Sequence, residues 1–202
     1  MRMPLTIGIV LWLLAGCNAP NRQPETTYRE LTEQLEVGDL LFRRGTGFVG
    51  QVVTSLDREG NFSHVGLVVR SEEGWQVIHA VPHEPEFKGD IDRVKSEEVA
   101  RFLGRYPHAD FGLYRPQIEK QQRERIARNA VRLSRMQVPF DHDYDLSDTT
   151  RLYCTELVEY LFGLEGITLS EGRRTEISFP SLSGSYIFPS DLTQSNLLKP
   201  IY

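Results

Sequence analysis

Three residues carry the chemistry to be weighed first: His64, His79 and Cys154. A thiol attacks as its thiolate, an imidazole can take the thiol proton near neutral pH, and a third polar group must orient that imidazole. Cys154 falls where a helix should open, in Tyr153-Cys154-Thr155-Glu156. The unpaired N–H groups of a first helical turn favour the anion, so this placement predicts a lowered thiol pKa. His64 stands in Ser63-His64-Val65-Gly66-Leu67, where strand alternation puts His64, Gly66 and Val68 on one face and Val65 and Leu67 on the other. Gly66 leaves room for a substrate or a helix. His79 lies in the next run, Ile78-His79-Ala80-Val81, so the two histidines are cross-strand neighbours if the register pairs them. Each histidine alone is more often a structural residue, and on spacing a nucleophilic and a buried, inert Cys154 both stay open.

Other chemistries fit less well. There is no G-x-S-x-G, Walker A or H-E-x-x-H pattern. The run Asp141-His142-Asp143-Tyr144-Asp145 spaces carboxylates like a calcium loop, but Leu146 stands where the glycine is needed and Leu152 where the closing Glu is needed. It reads as a polar turn. His79 and His83 have metal-ligand spacing only on a helix, and the β-branched context with Pro82 argues for a strand and a turn. Neither a metal nor a cofactor is expected.

The elements that must position these groups follow from periodicity. Val37-Gly38-Asp39-Leu40-Leu41-Phe42 reads as a turn feeding a buried strand, and Gly47 to Leu56 as a short helix with Phe48, Val49, Val52, Val53 and Leu56 at helical spacing. Ser63 to Val69 and Trp75 to Val81, joined by the polar turn Arg70 to Gly74, predict an antiparallel hairpin. Phe111 to Tyr114 is a third apolar run, ending at Pro116. Gln117 to Arg135 is a helix with six Lys or Arg and two Glu, whose basic side is a solvated face or a contact for anionic lipid head groups. A second helix is expected over Tyr153 to Phe162, and a short one from Ser190. The loops Val81 to Asp92 and Ser170 to Ser185 are expected to shape the cleft.

The 202 residues, with 40% apolar and 25% charged side chains, suit one globular domain, expected to be a monomer. A formal charge of −5 argues against general nucleic-acid binding. Arg2 followed by the apolar core Leu5 to Leu14 has the layout of a secretory signal and is too short to span a bilayer comfortably. Leu14-Ala15-Gly16-Cys17 resembles the lipobox of bacterial lipoproteins, which implies that residues 1–16 are removed and Cys17 is lipidated. Asn18 in place of Asp implies the periplasmic face of the outer membrane. Residues 17–36 then read as a polar tether and 37–202 as the folded domain, with Cys154 its single thiol.

Taken together, Val37-Gly38-Asp39-Leu40-Leu41-Phe42, the Ser63-His64-Val65-Gly66-Leu67 motif, Ile78-His79-Ala80-Val81, Pro139-Phe140-Asp141, Tyr153-Cys154-Thr155-Glu156 and Pro189-Ser190-Asp191 resemble permuted papain-like cysteine hydrolases of the NlpC type, in the YiiX/YaeF-like group. The order, His64 before Cys154, is that of the permuted group. The resemblance implies an α+β fold in which a small antiparallel sheet packs against the helix carrying the nucleophile. It also implies Cys154 as nucleophile, His64 as general base and His79 as the residue orienting His64. Several permuted relatives carry Glu where this chain has His79, and an imidazole brings no fixed negative charge to that place. Asp141 and Glu156 are read as supports for loop and helix. The function implied is a lipid-anchored periplasmic hydrolase that cleaves an amide of a cell-wall peptide or an ester of a lipid acyl group through a Cys acyl-enzyme. The alternative is an anchored binding protein that keeps the papain-like cleft without turnover.

Overall fold

The computed structural model describes residues 24–57, 60–106, 109–178 and 183–202. The signal expected over residues 1–16 and the lipidated Cys17 lie outside the described residues. Along the chain come α1 (Pro24–Thr32), β1 (Leu40–Arg43), α2 (Phe48–Leu56), β2 (His64–Ser71), β3 (Gly74–Val81), β4 (Arg93–Glu98) and α3 (Val99–Gly104). They are followed by β5 (Phe111–Pro116), α4 (Lys120–Arg135), α5 (Cys154–Gly163), β6 (Thr175–Ile177), β7 (Gly184–Tyr186), α6 (Pro189–Thr193) and β8 (Leu198–Pro200).

An antiparallel sheet in the order β4-β3-β2-β1-β5-β8 forms the middle layer, and β6 pairs with β7 in a separate ribbon. The fold is α+β, with helices on both faces of the sheet. On one face Phe42, Val65, Leu67 and Ile78 pack with Ile126, Ala130 and Leu133 of α4 and Leu157, Val158 and Leu161 of α5. On the other, Leu41, Val68, Val77 and Leu113 meet Val99 and Phe102 of α3. Burial on both sides is why β2 reads as a near-continuous apolar run rather than as alternation. The Val37-Gly38-Asp39 turn has a steric and an ionic reason. Gly38 sits at φ +88°, where a Cβ would lie 2.7 Å from that of Arg123. Asp39, fully buried, accepts the Glu36 N–H at 2.8 Å and two bonds from Arg115 of β5 at 2.9 Å each.

Two segments depart from expectation. The stretch read as tether contains α1, and Leu31 and Leu35 are buried in the second core, so the fold reaches N-terminal of Val37. Two leucines in a polar segment are too few to show a 3.6-residue period, yet they suffice to dock one helix. β4, with the sequence RVKSEE, carries no strand pattern that the sequence alone would announce. Its Arg93, Lys95 and Glu97 are buried because each finds a partner: Asp90 and Glu86 for Arg93, the Glu84 carbonyl for Lys95, and Arg101 and Arg105 for Glu97. α2 is helical as its spacing predicts, but none of its side chains is buried and Phe48 is 83% exposed.

Candidate active site

Cys154 is the first residue of α5, entered from the extended Tyr153. This start is fastened on both sides. The Glu156 carboxylate accepts the Tyr153 N–H at 3.2 Å, Thr155 Oγ1 donates to the Ile187 carbonyl at 2.6 Å, and the Tyr153 hydroxyl accepts the Ile187 N–H at 3.0 Å. Asp141, fully buried, accepts the N–H groups of Asp143 and Asp145 at 3.0 and 2.6 Å and so folds the preceding loop. Both acids act as supports. Burial among Asp141, Asp145 and Asp148 pushes the Glu156 carboxyl up to about 8.

The two histidines meet on the face of β2 and β3 that carries α3. The β2–β3 ladder runs from Leu67↔Ile78 to Ser71↔Gly74, and the histidines sit beyond it, where β3 stays paired with β4 through His79↔Lys95. There His64 Nε2 lies 2.9 Å from His79 Nδ1. Gly66 makes the arrangement possible, because a Cβ at that position would lie 2.3 Å from Val77 Cγ1 and 3.0 Å from the Cβ of His79. The Phe102 ring flanks both imidazoles, at 5.6 and 5.2 Å between centroids. The Arg43 guanidinium lies 4.2 Å from the centre of that ring.

Behind the imidazoles is a layer of charged groups. Arg43 binds Glu84 at 2.6 Å, Arg105 binds Glu84 at 2.8 Å, and Glu97 pairs with Arg101 at 3.2 Å and with Arg105. The free face of His79 points to Glu97, with Nε2 3.6 Å from Oε2. Sequence reasoning missed Arg43, Glu84 and Glu97. The signal that could have found Glu97 is the two-residue spacing of Arg93, Lys95 and Glu97 on a strand paired with the one carrying His79.

His64 and Cys154 line one cavity of about 200 Å³. Its walls are apolar: Val49, Val52, Val53 and Leu56 of α2 face Tyr153 and Ile187. The hydrogen bond of His64 goes to His79, and none joins it to Cys154. Burial and the positive charges of Arg43, Arg105 and Lys95 hold the His64 imidazole well below its ordinary range, and His79 likewise. Burial also pushes the Cys154 thiol up to about 11, although the N–H groups of Val65, Thr155 and Cys154 itself face the sulfur and pull the other way. The lowered thiol pKa expected from the helix start is therefore not found, because desolvation outweighs the helix terminus. At rest the site holds a neutral thiol beside neutral imidazoles.

His79 and His83 do not form a metal pair: His79 is fully buried in the sheet, while His83 is exposed at φ +58°. Both His83 and His142 approach Asp92, at 3.9 and 3.2 Å, on the surface. Among the described residues no group of three or more His, Cys, Asp or Glu is placed to hold a metal ion.

A family model described as permuted papain-like amidase enzyme, YaeF/YiiX, C92 family, matches residues 34–178. A crystal structure described as the metalloprotein YiiX from Escherichia coli O157:H7 superposes with a TM-score of 0.66 at 17% identity, covering 84% of this chain and 97% of that one. At that identity the likeness is one of fold. No curated protein matches the sequence.

Proposed function

Because this chain belongs to the permuted papain-like amidases of the YaeF/YiiX group, we propose that Cys154 is the nucleophile, His64 its general base and His79 the residue that orients His64, in a hydrolase opening an amide with an apolar acyl side. The observation that carries this reading is that Cys154, at the first turn of α5, and His64 open on the same apolar cavity. His64 Nδ1 takes the Sγ proton as sulfur attacks the carbonyl carbon. The oxyanion is met by N–H groups at the start of α5, His64 returns the proton to the leaving amine, and water hydrolyses the thioester. The resting neutral pair suits this sequence, since the proton need move only once a substrate has filled the cavity and displaced water.

The cavity walls support a lipid acyl group over a cell-wall peptide, whose polar backbone would lose hydrogen bonds against Val49, Val52 and Leu56. An ester of the same acyl group would enter the same space. The donor geometry around His83, His142 and Asp92 does not fit a resident metal, so no step is routed through one. The Leu14-Ala15-Gly16-Cys17 run supports a lipid anchor at Cys17 and a place on the periplasmic face of the outer membrane. Among the described residues no helix is long and apolar enough to cross a membrane.

The test is hydrolysis of 4-nitroanilides and matched 4-nitrophenyl esters across a series of acyl chains by the wild type and Cys154→Ala. Turnover that rises with chain length and vanishes in the variant is expected. Equal turnover in Cys154→Ala removes the mechanism. One observation favours a second reading, a cleft that binds without turnover: the thiol is neutral and not hydrogen-bonded to His64. Under that reading the acyl compounds bind both proteins and neither hydrolyses them.

A further inference from the structure

Two buried polar atoms next to the reacting groups lack a hydrogen-bond partner, and they face each other. His79 Nε2 and Glu97 Oε2 are both buried and unbonded, 3.6 Å apart, a few tenths of an ångström beyond hydrogen-bond range. His79 is fully buried and the Glu97 side chain is 1% exposed, so water does not stand in for either partner.

The arrangement admits two proton patterns. In the first, His79 carries its proton on Nε2, towards the carboxylate, and Nδ1 accepts from His64 Nε2–H. In the second, His79 Nδ1–H donates to His64 Nε2, and the bare Nε2 faces a carboxylate oxygen with no proton between them. The second sets two acceptors against each other in a site closed to water, so the first is favoured. It leaves His64 Nδ1 unprotonated, the state a general base requires. The groups around the pair keep a second proton off: Arg43 of β1, Lys95 of β4 and Arg105 after α3 lie near both imidazoles, while Glu84 is taken up by Arg43 and Arg105.

We propose that Glu97 is a positioning residue that sets the tautomers of His79 and, through it, of His64, and so presents His64 Nδ1 as the base for Cys154. This rests on the thiol-hydrolase reading. The negative charge that His79 itself does not bring is supplied by Glu97 on the neighbouring strand β4.

Glu97→Gln separates this role from a structural one. Arg105 donates to Glu97 Oε1 and Arg101 pairs with the same oxygen at 3.2 Å, so they keep the carboxamide oxygen and turn its NH2 towards His79 Nε2. That nitrogen must then accept, the relay reverses, and His64 Nδ1 becomes protonated. In the 15N-labelled full chain, imidazole NMR should show both histidines protonated on Nε2 in the wild type and on Nδ1 in Glu97→Gln. Turnover of decanoyl 4-nitroanilide should fall in kcat by about 100-fold or more with little change in KM, as wrong-tautomer substitutions do in other triads. Glu97→Asp, which keeps the charge, should retain the wild-type tautomers and part of the rate. In the double variant His79→Glu, Glu97→Gln the carboxylate reaches His64 directly and should recover kcat over Glu97→Gln alone. A wild-type spectrum with His79 protonated on Nδ1 overturns the proposal, and so do unchanged tautomers and kcat in Glu97→Gln. If Glu97→Gln does not fold, the wild-type spectrum and Glu97→Asp decide. The spectra need no turnover, so they stand apart from Cys154→Ala, whose full activity would instead remove the nucleophile reading.

Discussion

His64 commits its Nε2 to His79 at 2.9 Å, so the one ring nitrogen it has left for Cys154 is Nδ1. With the thiol pushed up to about 11 and both imidazoles held low, the resting site is not a thiolate–imidazolium pair. Iodoacetamide should therefore alkylate Cys154 slowly at pH 7, and the rate should keep rising beyond pH 9, past the ordinary thiol value of about 8.5. A plateau reached below pH 7 would contradict the neutral resting state. His64→Ala should leave this profile nearly unchanged in the free enzyme while abolishing turnover.

Gly66 is where the sheet makes room for the pair. Gly66→Ala places a methyl group 2.3 Å from Val77 Cγ1 and 3.0 Å from the His79 Cβ. Two well-packed strands must then part, at a cost of about 1–3 kcal/mol. Chemical denaturation should show the loss, and kcat should fall by more than the folded fraction does, because His79 moves. Wild-type stability in Gly66→Ala would mean that β2 and β3 approach less closely than the structure has it.

How far the site was legible from the residues follows from the same physics. His64, His79 and Cys154 stood out because β-branched runs and a helix start framed them, and those elements form at the expected places. Glu97 was legible only faintly, in the two-residue spacing it shares with Arg93 and Lys95. It lies on RVKSEE, whose charges are buried by pairing with Arg101, Arg105 and the Glu84 carbonyl, and such pairing leaves no apolar period in the chain. α2 shows the converse. Its apolar spacing announced a helix correctly, but that spacing could not distinguish a core stripe from a cavity wall, and here it lines the cavity.

That role of α2 gives a clean separation of binding from folding. Val52 is a cavity wall and is not buried in the core, so Val52→Ala should cost under about 1 kcal/mol of stability. KM for acyl anilides should rise severalfold, more for long chains than for short ones, with kcat largely kept. An equal effect on acetyl and decanoyl substrates would mean that the acyl chain does not run along α2.

The join between Thr155 and Ile187 holds the start of α5, which carries Cys154, to the segment before α6, with Thr155 Oγ1 donating at 2.6 Å. Thr155→Val keeps the volume but leaves the buried Ile187 carbonyl unpaired on that side, a loss of about 1–3 kcal/mol. Thr155→Ser retains the donor and should recover most of that stability. If Val and Ser variants unfold alike, the methyl group matters there and the hydrogen bond does not.

Glu156 makes stability depend on pH in a direction opposite to most carboxylates. Its folded value of about 8 lies above the ordinary 4.5, so between those limits the unfolded chain releases a proton that the folded protein keeps. Stability is therefore greatest below 4.5 for this group and declines as pH rises through the window, the loss being complete above about 8. Each tenfold difference in proton affinity between the folded and unfolded chain is worth about 1.4 kcal/mol, so the fall attributable to Glu156 should reach a few kcal/mol. Glu156→Gln keeps an oxygen to accept the Tyr153 N–H and has nothing to ionise. Urea unfolding at pH 5 and pH 8 should show the wild type losing ground to Glu156→Gln as pH rises, with the variant the more stable at pH 8. A constant difference between the two proteins across that range would mean that Glu156 is ionised in the folded state at pH 5, its charge accommodated at the start of α5.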